Sequence, residues 1–289
     1  MTLRLTALLV LLSGVRIPQS EPPSTAAWKS AAPLVIDGVL DEPAWERAVR
    51  VSADYVMGKT GQKSDEHHME ARYTWDENYF YIGYETFDRN VVAVGTGKKD
   101  GPEKNLREGC ELSDPKQPVD VVEFFISFGD HRFFWEIHHN AANQFNDVWC
   151  TVYDDSWPIS KSSIDRYGIH FGFSEFIRDD EEAGHTFASA VKLKGTTTLN
   201  DPKDTDTGYV GEIRIPWAGL GAPRDRESFD AKRRRGPWKM EGQQMLVLAV
   251  VQDGDLKDRY HHSSPTFPGG WFHKGAAHYP RVDLVAPAK

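Results

Sequence analysis

Glu123, Glu136 and His138 are the side chains whose types and spacing point most directly to shared chemistry. Carboxylates accept hydrogen bonds from hydroxyls, and an imidazole beside them adds a further polar partner. What would gather them is a hairpin over Val119 to Asn140. With Asp130 and His131 as a two-residue turn, alternation puts Glu123 opposite His138, Phe125 opposite Glu136 and Ser127 opposite Phe134 on one face. Phe128 then faces Phe133, Ile126 faces Trp135, Phe124 faces Ile137 and Val122 faces His139 on the other, which is apolar along both strands. The first face interleaves acids and imidazole with aromatic rings and suits a polar ligand with flat apolar patches. The bland alternative is a solvated outer face with a few exposed rings.

A chain of 289 residues, 39% hydrophobic, can bury a full core around such a hairpin. Nine Trp and ten Tyr against five Met put that apolar content into rigid rings, which favour strands and stacking surfaces. The formal charge of −9 argues against nucleic acid and against adhesion to an anionic membrane. Residues 1–20 combine Arg4, an apolar run from Leu5 to Val15, and Arg16 and Pro18, which reads as an export signal too short to span a bilayer. The expected location is secreted or periplasmic. Residues 21–32 read as a Pro/Ser-rich linker and 33–286 as one domain. Cys110 and Cys150 would be free to pair in an oxidising compartment, but sequence does not show that they meet.

Along the chain, Asp37 and Gly38 supply a turn, and Asp41 with Pro43 begins a short helix in which Trp45 plugs the end of a sandwich. Ala53 to Thr60 satisfies a loose phosphate-loop pattern, but a helix precedes it and Gly61 follows, so the strand and helix that would present amides to phosphate are missing. Glu70 to Asp76 and Tyr79 to Phe87 form a second hairpin, with Trp75 facing Phe80, Tyr73 facing Ile82 and Ala71 facing Tyr84. Tyr167 to Phe176 should pair with Thr186 to Lys194 across an acidic turn. Tyr209 to Ile215 and Gln244 to Gln252 are further strands. About eight strands, one or two short helices and no βαβ rhythm predict an all-β, antiparallel β-sandwich.

Five runs then resemble, in order, the family 9 carbohydrate-binding modules and related sandwich domains that include haem-binding members. They are IDGVLDEPAW, YTWDENYFYIGYETFD, DVVEFFISF, GEIRIPWAGL and GGWFHKGAAHYPRVDLV, spanning Ile36 to Val285. The resemblance implies a sandwich that holds an oligo- or polysaccharide between aromatic rings, with structural calcium in some members. It places the family's sugar-bonding Glu at Glu123, the polar position of the facing strand at His138 and a stacking Trp at Trp271. The pattern departs at Gln117, where a second stacking Trp is usual, at Glu136, where Arg is usual, and at Tyr279-Pro280, where Gly is usual. Glu123, Glu136, His138 and Trp271 are therefore the expected saccharide site of a non-catalytic protein, associated with polysaccharide breakdown and carrying no certain cofactor.

Two other functions compete. A glycoside hydrolase would use two carboxylates flanking a scissile bond, and Glu123 and Glu136 are near enough, but a flat face offers little to exclude water. A haem or metal binder is suggested by His67-His68, His138-His139 and His261-His262, although neighbours in a strand point to opposite faces and cannot share one site.

Overall fold

The computed structural model describes residues 22–59, 61–65, 67–93, 120–128, 133–152, 169–173, 184–220, 240–267, 272 and 276–286. In chain order the strands are β1 (Ser24–Lys29), β2 (Val51–Ala53), β3 (Tyr55–Val56), β4 (His68–Trp75), β5 (Tyr79–Phe87), β6 (Val121–Ser127), β7 (Phe133–His139), β8 (Phe145–Val152), β9 (Ile169–Phe173), β10 (Ala188–Leu193), β11 (Tyr209–Pro216), β12 (Gln244–Gln252), β13 (Tyr260–His262) and β14 (Arg281–Val285). Two short helices, α1 (Pro43–Arg47) and α2 (Trp217–Leu220), and a 3-10 turn at Ala276–His278 complete the described elements. The sheet runs β10-β11-β5-β4-β1-β14-β12-β6-β7-β8-β9 and folds over, so that β4, β5 and β11 face β6, β7 and β12 across one core.

Both predicted hairpins form in the expected register. Glu123 pairs with His138, Phe125 with Glu136, Phe124 with Ile137, Ile126 with Trp135 and Val122 with His139. In the other, Trp75 pairs with Phe80, Tyr73 with Ile82 and Ala71 with Tyr84. Their apolar faces meet: Tyr73, Phe80, Ile82 and Tyr84 pack with Val122, Phe124, Ile126 and Ile137. A polar crossing in this contact is well paired. Tyr84 Oη lies 2.8 Å from His139 Nδ1, and His139 Nε2 lies 2.8 Å from Asn143 Oδ1. Burial drives the His139 imidazole down to about 4, so it is neutral and accepts the Tyr84 hydroxyl.

Several expectations are corrected. The residues assigned to a linker contain β1, which pairs in parallel with β14 and, at its end, with β4. The sandwich is therefore mixed rather than purely antiparallel, and β1 is the strand that makes the two layers one sheet. The strands at 169–173 and 188–193 do not pair with each other; β9 joins β8 and β10 joins β11, at opposite ends of the strand order. The phosphate-loop pattern begins on the last residue of a strand, β2, and runs through β3, and Met57 and Gly58 lie in a turn. Cys110 lies outside the described residues.

Helix α1 starts one residue later than expected, with Glu42 at its N-cap position. It covers the outer face of the first layer rather than the end of the sandwich: Trp45 packs with Leu34, Tyr79 and Tyr81. Gly83 makes room, because a Cβ there would sit 2.6 Å from Leu40 Cδ2 and 3.1 Å from the Trp45 ring. Its cross-strand partner Glu212 receives three hydrogen bonds, from Trp45 Nε1–H at 2.9 Å and from the amides of Asp37 and Gly38 at 2.9 and 2.8 Å. Gly38 takes φ +84°, and a Cβ on it would lie 2.9 Å from the Lys192 amide nitrogen of β10. The IDG turn and the GEIRIPW strand are thus two halves of one clamp. Glu212→Ala strands these donors, at a cost of roughly 1–3 kcal/mol for each one left buried. Urea denaturation should show a loss of at least about 3 kcal/mol, and a loss below about 1 kcal/mol would contradict the clamp.

Candidate functional site

The outer face of β6 and β7 is where the sequence places its chemistry, and the fold encloses that face. Strand β12 pairs with β6 along one edge; its other edge takes β14 near the start and β13 near the end. The chain between β13 and β14 must cross from one to the other, and it does so over the outer face. Phe267, Phe272 and Tyr279 from this crossing pack on Phe125, Phe134, Leu246, Leu248 and Val250 in a second buried cluster. The Phe272 ring lies 5.5 Å from Phe125, and the Tyr279 hydroxyl donates to the Phe272 carbonyl at 3.0 Å.

Glu123, Glu136 and His138 lie together on this face. His138 Nε2 is 3.0 Å from Glu136 Oε1, and the ligand atoms of all three residues fall within 4.8 Å of one another. Glu123 is 8% exposed, Glu136 7% and the His138 side chain 16%, so this face is covered rather than the flat open surface expected. Burial pulls the His138 imidazole down, but the hydrogen bond it donates to Glu136 and the charges of Glu136 and Glu123 outweigh it and raise its pKa. Tyr260 stands near both acids; burial and their charges push its phenol up to about 12, so it stays protonated. Such a group offers two acceptor carboxylates, an imidazole whose charged form they favour and a phenol beside aromatic rings. That set fits a ligand rich in hydroxyls, and the three charged residues are also suited to a cation.

Trp271 lies outside the described residues. Its neighbour Phe272, in the same crossing segment, is buried against Phe125. Sequence reasoning missed Tyr260 and the apolar cover, because nothing local ties residues 260–279 to strands so far away in the chain.

A second polar cluster was also missed. His67, Asp88 and Asp253 converge at one end of the sandwich, and the His67 ring lies 5.8 Å from His261. Within a pair the two rings point apart, but the structure brings together one member from each of two pairs. Burial lowers His67 to about 3 and raises Asp88 to about 7.

No family model matches the chain, and no curated protein matches it. Solved structures do. A family 9 carbohydrate-binding module from Caldicellulosiruptor kristjanssonii, in complex with glucose, is 14% identical with a TM-score of 0.50, over 92% of this chain and 98% of that one. A Bacteroides uniformis protein provisionally assigned to carbohydrate binding is 13% identical with a TM-score of 0.54, over 91% of this chain and all of that one. The chain has the β-sandwich fold of these proteins.

The raised His138 carries a sign. The ordinary imidazole value is about 6.5, so the His138⁺–Glu136⁻ pairing contributes fully below that pH and is lost as pH rises through the higher folded value. Ring NMR should place the His138 titration above that of an unfolded histidine and move it downward in Glu136→Gln. An unshifted His138 in the native chain would refute the pairing.

Proposed function

We propose that this protein binds a saccharide without catalysis, at the site formed by Glu123, Glu136 and His138. The observation that carries the reading is the convergence of two carboxylates and an imidazole on one aromatic-lined sheet face, where a sugar's hydroxyls and apolar CH faces would both find partners. In this reading Glu123 accepts hydroxyl hydrogen bonds, and Glu136 holds His138 charged so that it donates to sugar oxygens. Trp271 stacks on the ring from the crossing segment. The fold likeness to a module held in complex with glucose supports the ligand class.

We further propose, on the apolar run from Leu5 to Val15 flanked by Arg4 and Arg16, that the protein is exported. Residues 1–20 direct export and are removed, the mature chain works outside the cytoplasm, and it serves polysaccharide breakdown by holding glycan. The hydrolase reading draws no support from this site, because Glu136 is engaged by His138 at 3.0 Å.

Calorimetry with glucose and soluble gluco-oligosaccharides, preceded by a glycan array, tests the site. Trp271→Ala should remove a stacking contact and Glu123→Ala a charge-assisted hydrogen bond. Each should weaken binding by roughly 1–3 kcal/mol, about five- to more than a hundredfold. Saccharide binding indifferent to both changes, in variants that remain folded, would end this reading.

A further inference from the structure

One end of the sandwich gathers charged side chains that the saccharide site does not use. His67 immediately precedes β4, Asp88 follows β5, Asp120 precedes β6 and Asp253 follows β12, so both layers contribute. His67 Nδ1 lies 3.5 Å from Asp253 Oδ2 and 3.7 Å from Asp88 Oδ2. Backbone amides aim the two carboxylates. Asp88 Oδ1 accepts from the Asn90 amide at 2.9 Å, and Asp253 Oδ1 accepts from the amides of Asp255 and Leu256 at 2.7 and 3.2 Å. The other oxygen of each is thereby turned toward the imidazole. Asp120 stands behind, fixed by the amides of Val92 and Gly254.

The imidazole itself is the observation that asks for a ligand. The His67 side chain is 1% exposed, and neither of its nitrogens makes a hydrogen bond; nor does Asp88 Oδ2. Buried polar atoms are nearly always paired, because desolvation without a partner is costly. Two of these orphaned atoms, His67 Nδ1 and Asp88 Oδ2, lie 3.7 Å apart, and a cation held between them and Asp253 Oδ2 would satisfy their lone pairs together.

We infer that His67, Asp88 and Asp253 form a binding site for a divalent transition ion of the zinc class, clipping the strand ends of the two layers together. The donor set selects the ion. One imidazole nitrogen with two carboxylate oxygens suits zinc, cobalt or manganese, whereas calcium and magnesium take oxygen ligands. The spacing agrees: ligands on a tetrahedron with bonds of about 2.0–2.1 Å are roughly 3.3–3.4 Å apart, close to the two distances found. The inference is independent of the saccharide reading.

The test uses the full chain stripped with a chelator. Cobalt(II) serves as the chromophoric probe, and zinc and calcium are titrated in parallel by calorimetry. One equivalent of cobalt should develop visible ligand-field absorption, zinc should displace it, and excess zinc should raise the melting temperature by several degrees. His67→Phe and the near-isosteric Asp88→Asn should each weaken zinc binding by at least about a hundredfold, with circular dichroism of the metal-free variants confirming their fold. Failure of the native chain to bind zinc stoichiometrically, or its preference for calcium, overturns the inference, and this readout decides even if a variant does not fold. Cobalt absorption lost in Glu136→Gln but kept in His67→Phe overturns it as well.

Discussion

The layer formed by β12, β6 and β7 is buried on both faces, and much else follows from that. Strand β12 is apolar on both sides: Met245, Val247, Ala249 and Val251 enter the main core, while Leu246, Leu248 and Val250 enter the second cluster. A strand buried this way reads as a continuous apolar run, and it needs two covers. The first layer supplies one. The crossing segment between β13 and β14 supplies the other, held down by Ser264, whose hydroxyl donates to the carbonyl of His278 at 2.6 Å. Any polar side chain on the covered face must then be satisfied within the protein or by a ligand. Glu136 and His138 meet that demand in part by pairing with each other, which is why they stand close instead of splayed into solvent.

The hairpins were legible because their information is local. A period of two fixes which side chains share a face, and the turn fixes which are opposite, so Glu123 beside His138 follows from a few adjacent residues. Burial of that face was not legible, since its cover arrives from residues more than a hundred positions later. Strand β1 was hidden for a related reason. STAAWK carries little β propensity, and what holds it as a strand is its partners: the ladder to β14, the Trp75 Nε1–H donated to the Ala27 carbonyl at 2.9 Å and the Thr74 hydroxyl donated to that of Trp28 at 2.6 Å. Propensity yields to tertiary pairing in such a segment.

The histidines show the limit from another side. Adjacent members of a pair do point apart, as His138 toward Glu136 and His139 toward Tyr84 demonstrate. That rule correctly denies a pair one shared site. It is silent about members of different pairs, and the meeting of His67 with His261 depends on β13 lying against β12, a long-range fact without a local signature. The IDG turn and the GEIRIPW strand were read as separate signals for the same reason, although a single carboxylate, Glu212, joins them.

The place of β1 has a consequence for the order in which the chain assembles. It leaves the ribosome among the earliest strands, yet its longer ladder is with β14, among the latest, and only Trp28 and Lys29 pair with β4. Contacts so distant in sequence slow folding, because a large loop must close before they repay its entropy. During synthesis the two layers therefore have no seam between them; each half can form its own hairpins, but the sheet becomes continuous only when the final strand slides in beside the first. Translation and closure are separate events in this molecule, and the last few residues of the sandwich decide when the second one happens.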